Sequence, residues 1–216
     1  MAETELQART RRFARRESDL VRRRFAESVE TKQDLLADET LLAGVTELAD
    51  VLTRALRDGG KALLFGNGGS AADATHLAAE LVGRYKLERD ALPALSLSDN
   101  VSSVTAIGND YAYDVTFARQ IQAFGREGDV AIGLSTSGRS ANVLRGLQAA
   151  GELGLHTVAV TGAAGPELPG EGPHLGEVAD LWLAMPTNDT PRVQECTMLV
   201  GHTICELVER AVFTGS

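Results

Sequence analysis

The chain has 216 residues, 44% of them apolar and 24% charged, so it can bury a sizeable core and is neither disordered nor fibrous in composition. Its 30 acidic residues outnumber its 21 lysines and arginines, giving a net charge of -9 and no broad basic field for nucleic acid. An anionic ligand must therefore be held by local geometry, and a small anionic metabolite suits that better than DNA.

No apolar run reaches the roughly 20 residues that span a bilayer. Residues 1–24 interleave Arg9, Arg11, Arg12, Arg15, Arg16, Arg22, Arg23 and Arg24 with Glu3, Glu5, Glu17 and Asp19, and lack the apolar centre of a signal peptide. A cytoplasmic protein with no membrane or nucleic-acid partner is expected.

From Thr4 to about Ala37, apolar residues including Leu20, Val21, Phe25, Val29 and Leu35 recur at loosely helical spacing, predicting one amphipathic helix. Its mixed-sign charges suit a solvated face or a docking face for another subunit. A second helix is predicted from about Glu39 to Asp58, with Leu41, Leu42, Val45, Leu48, Val51, Leu52 and Leu56 as its stripe and Gly59-Gly60 as its stop. Residues 1–38 thus read as an N-terminal helix for packing or oligomerisation, ahead of a domain over residues 39–216.

From Lys61 onward the pattern changes to short apolar strands followed by helices. Strands are predicted at Ala62 to Phe65, Pro93 to Leu97, Val130 to Leu134, Thr157 to Val160 and Leu181 to Ala184. Helices are predicted at Ala71 to Val82, Ala112 to Ala123, Ala141 to Leu153 and Val193 to Val212. Such alternation predicts an α/β three-layer sandwich, a five-stranded parallel sheet with helices on both faces. The stretch 162–177, rich in Gly and Pro, reads as loop, with His174 exposed on it.

Two strand-to-helix turns carry the chemistry. Gly66-Asn67-Gly68-Gly69-Ser70 allows close backbone approach at a helix start, where unpaired N–H groups favour an anion. Ser135-Thr136-Ser137-Gly138-Arg139-Ser140 offers four hydroxyls in six residues, more than N-capping of the next helix by Ser140 requires. Both follow strands, and in open parallel sheets ligands bind beyond the carboxyl ends of strands.

His76 and Glu80 are spaced four apart and share one helix face, which suits a shared ion, a shared substrate or a plain surface pair. On the last helix Gln194 and His202 lie eight apart with Met198 between them; packing alone could also explain a histidine flanked by Val200, Ile204 and Leu207. Cys196 and Cys205 project from that helix about 180° apart and cannot pair with each other, as suits a reducing compartment.

The ordered motifs GNGGSAADATHLAAELVGRY (66–85), TAIGNDYAYD (105–114), GREGDVAIGLSTSGRSANV (125–143) and TPRVQE with GHTICELVE (190–209) resemble the sugar isomerase (SIS) domain family. Within that family the chain is similar to the branch acting on sedoheptulose 7-phosphate, from about Leu41 to Glu209. The resemblance implies a flavodoxin-like SIS fold, a homotetramer with sites near subunit interfaces, and a zinc ion held by His76, Glu80, Gln194 and His202. It implies sugar phosphate contacts from Asn67, Gly68, Gly69, Ser70, Glu80, Asn109, Asp110, Ser135, Thr136, Ser137, Ser140 and Gln194, with Glu80 and His202 as the acid/base pair.

The implied reaction moves a proton between C1 and C2 of a ketose phosphate through an enediol, for which a carboxylate is a suitable base. The metal would either polarise the carbonyl or hold the site in position. Other SIS-domain proteins bind the bacterial replication initiator or sense sugar phosphates. The presence of His202 favours an enzyme, and the N-terminal region has no convincing helix-turn-helix for a regulator.

Overall fold

The computed structural model describes residues 5–163 and 173–214. Two N-terminal helices, α1 (Glu5–Ala37) and α2 (Glu39–Arg57), precede the alternating part. There follow β1 (Ala62–Gly66), α3 (Gly69–Val82), β2 (Ala94–Ser96), α4 (Val101–Asp110), α5 (Thr116–Phe124) and β3 (Val130–Ser135). The chain continues through α6 (Ala141–Glu152), β4 (His156–Thr161), β5 (Leu181–Ala184) and α7 (Thr190–Thr214). Single 3-10 turns occupy Tyr113–Val115 and Leu175–Glu177. Among the described residues no helix is long and apolar enough to cross a membrane.

Local chemistry explains the boundaries. The Asp38 side chain accepts from the Leu41 amide at 3.0 Å, capping the start of α2. Its Leu41, Val45, Leu48, Leu52 and Leu56 form the buried stripe, and Gly59, at φ +85°, turns the chain out of the helix. Strands β1 and β3 are buried along their whole length, as central parallel strands must be.

All five strands pair in parallel, as expected, in the order β2-β1-β3-β4-β5, which is that of the flavodoxin-like fold the family resemblance implies. Alternate strand residues face opposite layers. Ala62, Leu64, Ile132, Leu134, Val158 and Val160 pack with α2, α3 and α7, while Leu63, Phe65, Ala131 and Ala159 pack with α5 and α6. Each layer of helices therefore covers one face of the sheet.

Two details differ from the sequence reading. The segment Val101–Asp110 is a helix, started by Asn100, whose side chain accepts from the Ser103 amide at 3.0 Å. This element has no fully buried residue, so it carries no apolar stripe for periodicity to detect. The helix expected from Ala112 begins instead as the 3-10 turn, and α5 proper starts at Thr116.

Strand order reverses between β1 and β3, leaving a crevice at their carboxyl ends. The turns after these two strands border that crevice.

Candidate active site

The turn after β1 is tight for a defined reason. A Cβ on Gly66 would lie 2.8 Å from the Leu134 carbonyl oxygen and 2.8 Å from the Ser70 Cβ, so the backbone closes here only because the side chain is absent. Gly68, at φ +55°, is the N-cap of α3 and provides no side-chain cap. In the first turn of that helix the Ser70 amide donates to the Asn67 carbonyl at 3.0 Å, and the N-cap residue has no side chain to serve the other amides.

The turn after β3 is lined with hydroxyls. Ser135 Oγ lies 2.9 Å from Ser140 Oγ and 3.4 Å from Ser137 Oγ, and Ser137 Oγ accepts from the Arg139 amide at 3.3 Å. Ser140 occupies the N-cap position of α6 but makes no side-chain cap bond. Its hydroxyl turns toward Ser135 instead, which is the arrangement a ligand-facing serine cluster needs.

An amide pair couples the two turns. Asn67 Nδ2 donates to Asn142 Oδ1 at 2.8 Å, Asn142 Nδ2 donates back to Asn67 Oδ1 at 2.9 Å, and the Tyr113 hydroxyl donates to Asn67 Oδ1 at 2.9 Å. Asn142 and Tyr113 are thus site-bordering residues that no spacing rule picks out. Their signal was present only as members of the quoted motif blocks.

Helices α3 and α7 lie side by side and run in the same direction. Gly69 faces Gln194 at one end, and Leu77 packs on Gly201 in the middle. His76 on α3 meets His202 on α7, their Nε2 atoms 3.0 Å apart, and His76 Nε2 lies 3.2 Å from Glu80 Oε1. One ligand atom from each of His76, Glu80 and His202 falls within 4.8 Å of the others.

Those atoms fit a metal ion. Two imidazole nitrogens bound tetrahedrally to zinc at about 2.0–2.1 Å stand about 3.3 Å apart, close to the separation of the two Nε2 atoms here. Two neutral imidazoles and a carboxylate also form a donor set that zinc accepts. Gln194, on the same helix as His202, has its amide against Gly69, where a Cβ would come within 1.9 Å of Nε2. Gln194, Met198 and His202 line one surface cavity together with Asp73 and Lys32.

Asp73 was not singled out from sequence. Its Oδ2 is buried with no hydrogen-bond partner among the described residues, and burial raises its pKa, partly offset by the neighbouring His76. The ring of Tyr85 stacks on His202 with centroids 5.5 Å apart and planes 15° from parallel. Neither residue carries a recognisable spacing signal.

Asn109 and Asp110 end α4, are exposed, and bond to each other through Asn109 Nδ2 at 2.8 Å. The Thr136 carbonyl accepts from the Gly162 amide at 3.0 Å, tying the serine turn to the end of β4.

His174, expected on an exposed loop, is buried at 6% exposure, and that expectation is corrected. Its Nδ1 accepts from the Gly176 amide at 3.1 Å, its ring meets Trp182 edge-on, and its Nε2 points at Gly138 in the serine turn. Burial lowers its pKa, with Arg139 adding to the effect. It packs beneath the turn because the 3-10 segment folds back onto it, with the Leu175 amide donating to the Gly138 carbonyl at 2.9 Å. The remainder of the expected loop, residues 164–172, lies outside the described residues.

Comparison with known proteins agrees with this geometry. The model of the SIS domain family matches residues 24–162. The phosphoheptose isomerase of Aquifex aeolicus is 47% identical over 192 residues, covering 89% of this chain and 96% of that protein. Among solved structures, a phosphoheptose isomerase from Neisseria gonorrhoeae superposes with a TM-score of 0.80 at 38% identity, over 89% of this chain and 98% of the other. One from Francisella tularensis gives 0.82 at 30% identity, over 90% and 98%. With its sheet order and these relatives in agreement, the chain belongs to the SIS domain family and, within it, to the phosphoheptose isomerases.

Proposed function

We propose that the protein interconverts sedoheptulose 7-phosphate and glycero-manno-heptose 7-phosphate by proton transfer through an enediol. The observation that carries this reading is the meeting of Glu80 and His202 at one point, with His76 between them, on the helix that begins at the glycine turn and its neighbour α7. A carboxylate and an imidazole within reach of one carbon and its oxygens are what aldose–ketose isomerisation needs.

In the ketose-to-aldose direction Glu80 takes a proton from C1, giving the enediol, and returns a proton to C2. His202 takes the proton of the C1 hydroxyl and delivers one to the oxygen on C2, so no redox partner is required. An imidazole suits this exchange because its ring nitrogens can both accept and donate a proton.

Ser70, Ser135, Thr136, Ser137 and Ser140 hold the phosphate, using hydroxyls and helix-start amides in place of fixed charge. Asn67, Gly68, Gly69, Asn109, Asp110 and Gln194 line the sugar. His76, Glu80, Gln194 and His202 would hold a zinc ion, which when bound supplies Lewis-acid polarisation of the carbonyl. The protein is further read as a cytoplasmic homotetramer. Val21, Phe25, Val29 and Leu36, all exposed along α1, support burial of that helix against other copies.

The test is to incubate purified protein with zinc and sedoheptulose 7-phosphate in D2O and to follow the C1 protons by NMR. Appearance of the aldose, with solvent deuterium entering at C1 or C2, is expected. Unchanged substrate with no exchange at C1 would overturn the reading.

A further inference from the structure

At the end of α3 opposite the glycine turn, the chain is fastened to α7 by an ion pair withdrawn from water. The side chains of Arg89 and Glu209 are 2% and 1% exposed, with Arg89 Nε donating to Glu209 Oε1 at 2.9 Å. Every remaining polar atom of the pair is used. Glu209 accepts from the backbone amides of Tyr85 at 3.0 Å, Lys86 at 2.8 Å and Leu87 at 2.8 Å. Arg89 donates to the carbonyls of Glu80 at 2.9 Å, Leu81 at 2.8 Å, Gly83 at 3.2 Å and Asp90 at 2.9 Å.

These bonds join the two halves of the site. Arg89 donates to carbonyls in the last turn of α3, which have no partner further along the helix, one of them the carbonyl of Glu80 itself. Glu209 lies seven residues beyond His202, two turns along the same helix, so it moves with the α7 half. The segment it grips carries Tyr85, whose ring stacks on His202 and fixes the plane in which that imidazole meets His76.

A buried ion pair is a poor source of net stability compared with apolar packing, and its better-attested use is to fix register. The register fixed here is that of α3 against α7.

We propose that the Arg89–Glu209 pair is a positioning element. It sets the separation of Glu80 and His76 from His202, and acts on the His202 ring through Tyr85. The proposal rests on the metal-assisted isomerase reading above, and adds to it that residues touching neither substrate nor metal set the geometry of the acid/base cluster. Groups that orient a metal ligand typically change metal affinity by about 10–100-fold when removed.

Cobalt(II) titration of the full-length protein separates this role from a merely structural one, because the d–d spectrum reports coordination geometry. Glu209→Gln, folded by circular dichroism, is expected to bind cobalt at least about 10-fold more weakly. It should also show an altered spectrum and a lower kcat on sedoheptulose 7-phosphate, with KM little changed because Ser70 lies at the far end of α3 and the serine turn lies at the start of α6. Tyr85→Ala should share these losses and Tyr85→Phe, which keeps the stacked ring, should restore them.

A folded Glu209→Gln with wild-type cobalt affinity and spectrum overturns the proposal. Should Glu209→Gln fail to fold, the Tyr85 variants decide, and wild-type cobalt binding by Tyr85→Ala overturns it. A wild-type protein that takes up no cobalt overturns this proposal and the metal assignment together, whereas cobalt uptake without isomerisation removes only the assigned reaction.

Discussion

Glu80 carries two assignments, metal ligand and base, and its substitution separates chemistry from folding. Glu80→Gln keeps the shape and a ligating oxygen but cannot accept the C1 proton, so kcat should fall by about 10²–10⁴-fold with an unchanged far-ultraviolet spectrum. Normal turnover by the purified variant would remove Glu80 from the mechanism. Gly138 tests the phosphate turn in another way. It sits at φ +65°, and a Cβ there would lie 1.9 Å from His174 Nε2. Gly138→Ala should cost about 1–2 kcal/mol from the backbone conformation alone. Because the serine turn must shift, KM for the sugar phosphate should rise more than kcat falls, as steady-state kinetics would show. His174 itself was misread from sequence because its burial depends on a non-local contact, the return of residues 174–177 onto the serine turn.

At the scale of elements, the pairing of α3 with α7 decides what the site can do. The i,i+4 spacing of His76 and Glu80 was visible along the chain, but a neighbour 126 residues away in sequence completes the cluster. Gly201 permits that approach, since a Cβ there would come within 2.5 Å of Leu77 Cδ2. Gly201→Ala should lower stability by about 1–3 kcal/mol through overpacking, measured by urea denaturation. It should also weaken metal uptake, because His202 is the next residue. Both cysteines of α7 are buried against the core layer. Burial, helped by the nearby charge of Glu80, pushes the Cys205 thiol up to about 12, and burial raises that of Cys196 as well. A thiol-reactive reagent at pH 8 should therefore label neither cysteine in the native protein and both after unfolding. Helix α4 was missed for a related reason: its identity comes from the Asn100 cap, with no buried stripe to reveal it.

For the whole molecule, the buried Glu209 gives an acid limb of stability with a defined sign. Burial pushes its pKa up, but the amides of Tyr85, Leu87 and Lys86 and the Arg89 guanidinium outweigh this and hold it below the usual carboxylate range. A depressed folded-state pKa means that its contribution is complete above the unfolded value of about 4.3 and is lost as pH falls through the folded value. Wild-type unfolding free energy should therefore decline as pH falls from about 4.3, and more steeply than that of Glu209→Gln. The exposed apolar residues of α1 predict association of copies of the chain, and light scattering showing a monomer at micromolar concentration would refute this and the proposed tetramer.

The order of elements, the parallel sheet and the two strand-to-helix turns were legible because each is local: a strand's apolar run, a glycine stop, a cluster of hydroxyls. The motif blocks resemble a family that proved to be the one to which the chain belongs. What the chain alone left open was which groups meet. The 3.0 Å approach of His76 to His202, the stacking of Tyr85 and the Arg89–Glu209 fastening join segments that local sequence keeps apart. Only packing of α3 and α7 on the same face of the sheet brings them together, because contact between distant residues is fixed by how helices cover a shared apolar layer and by no period within either one.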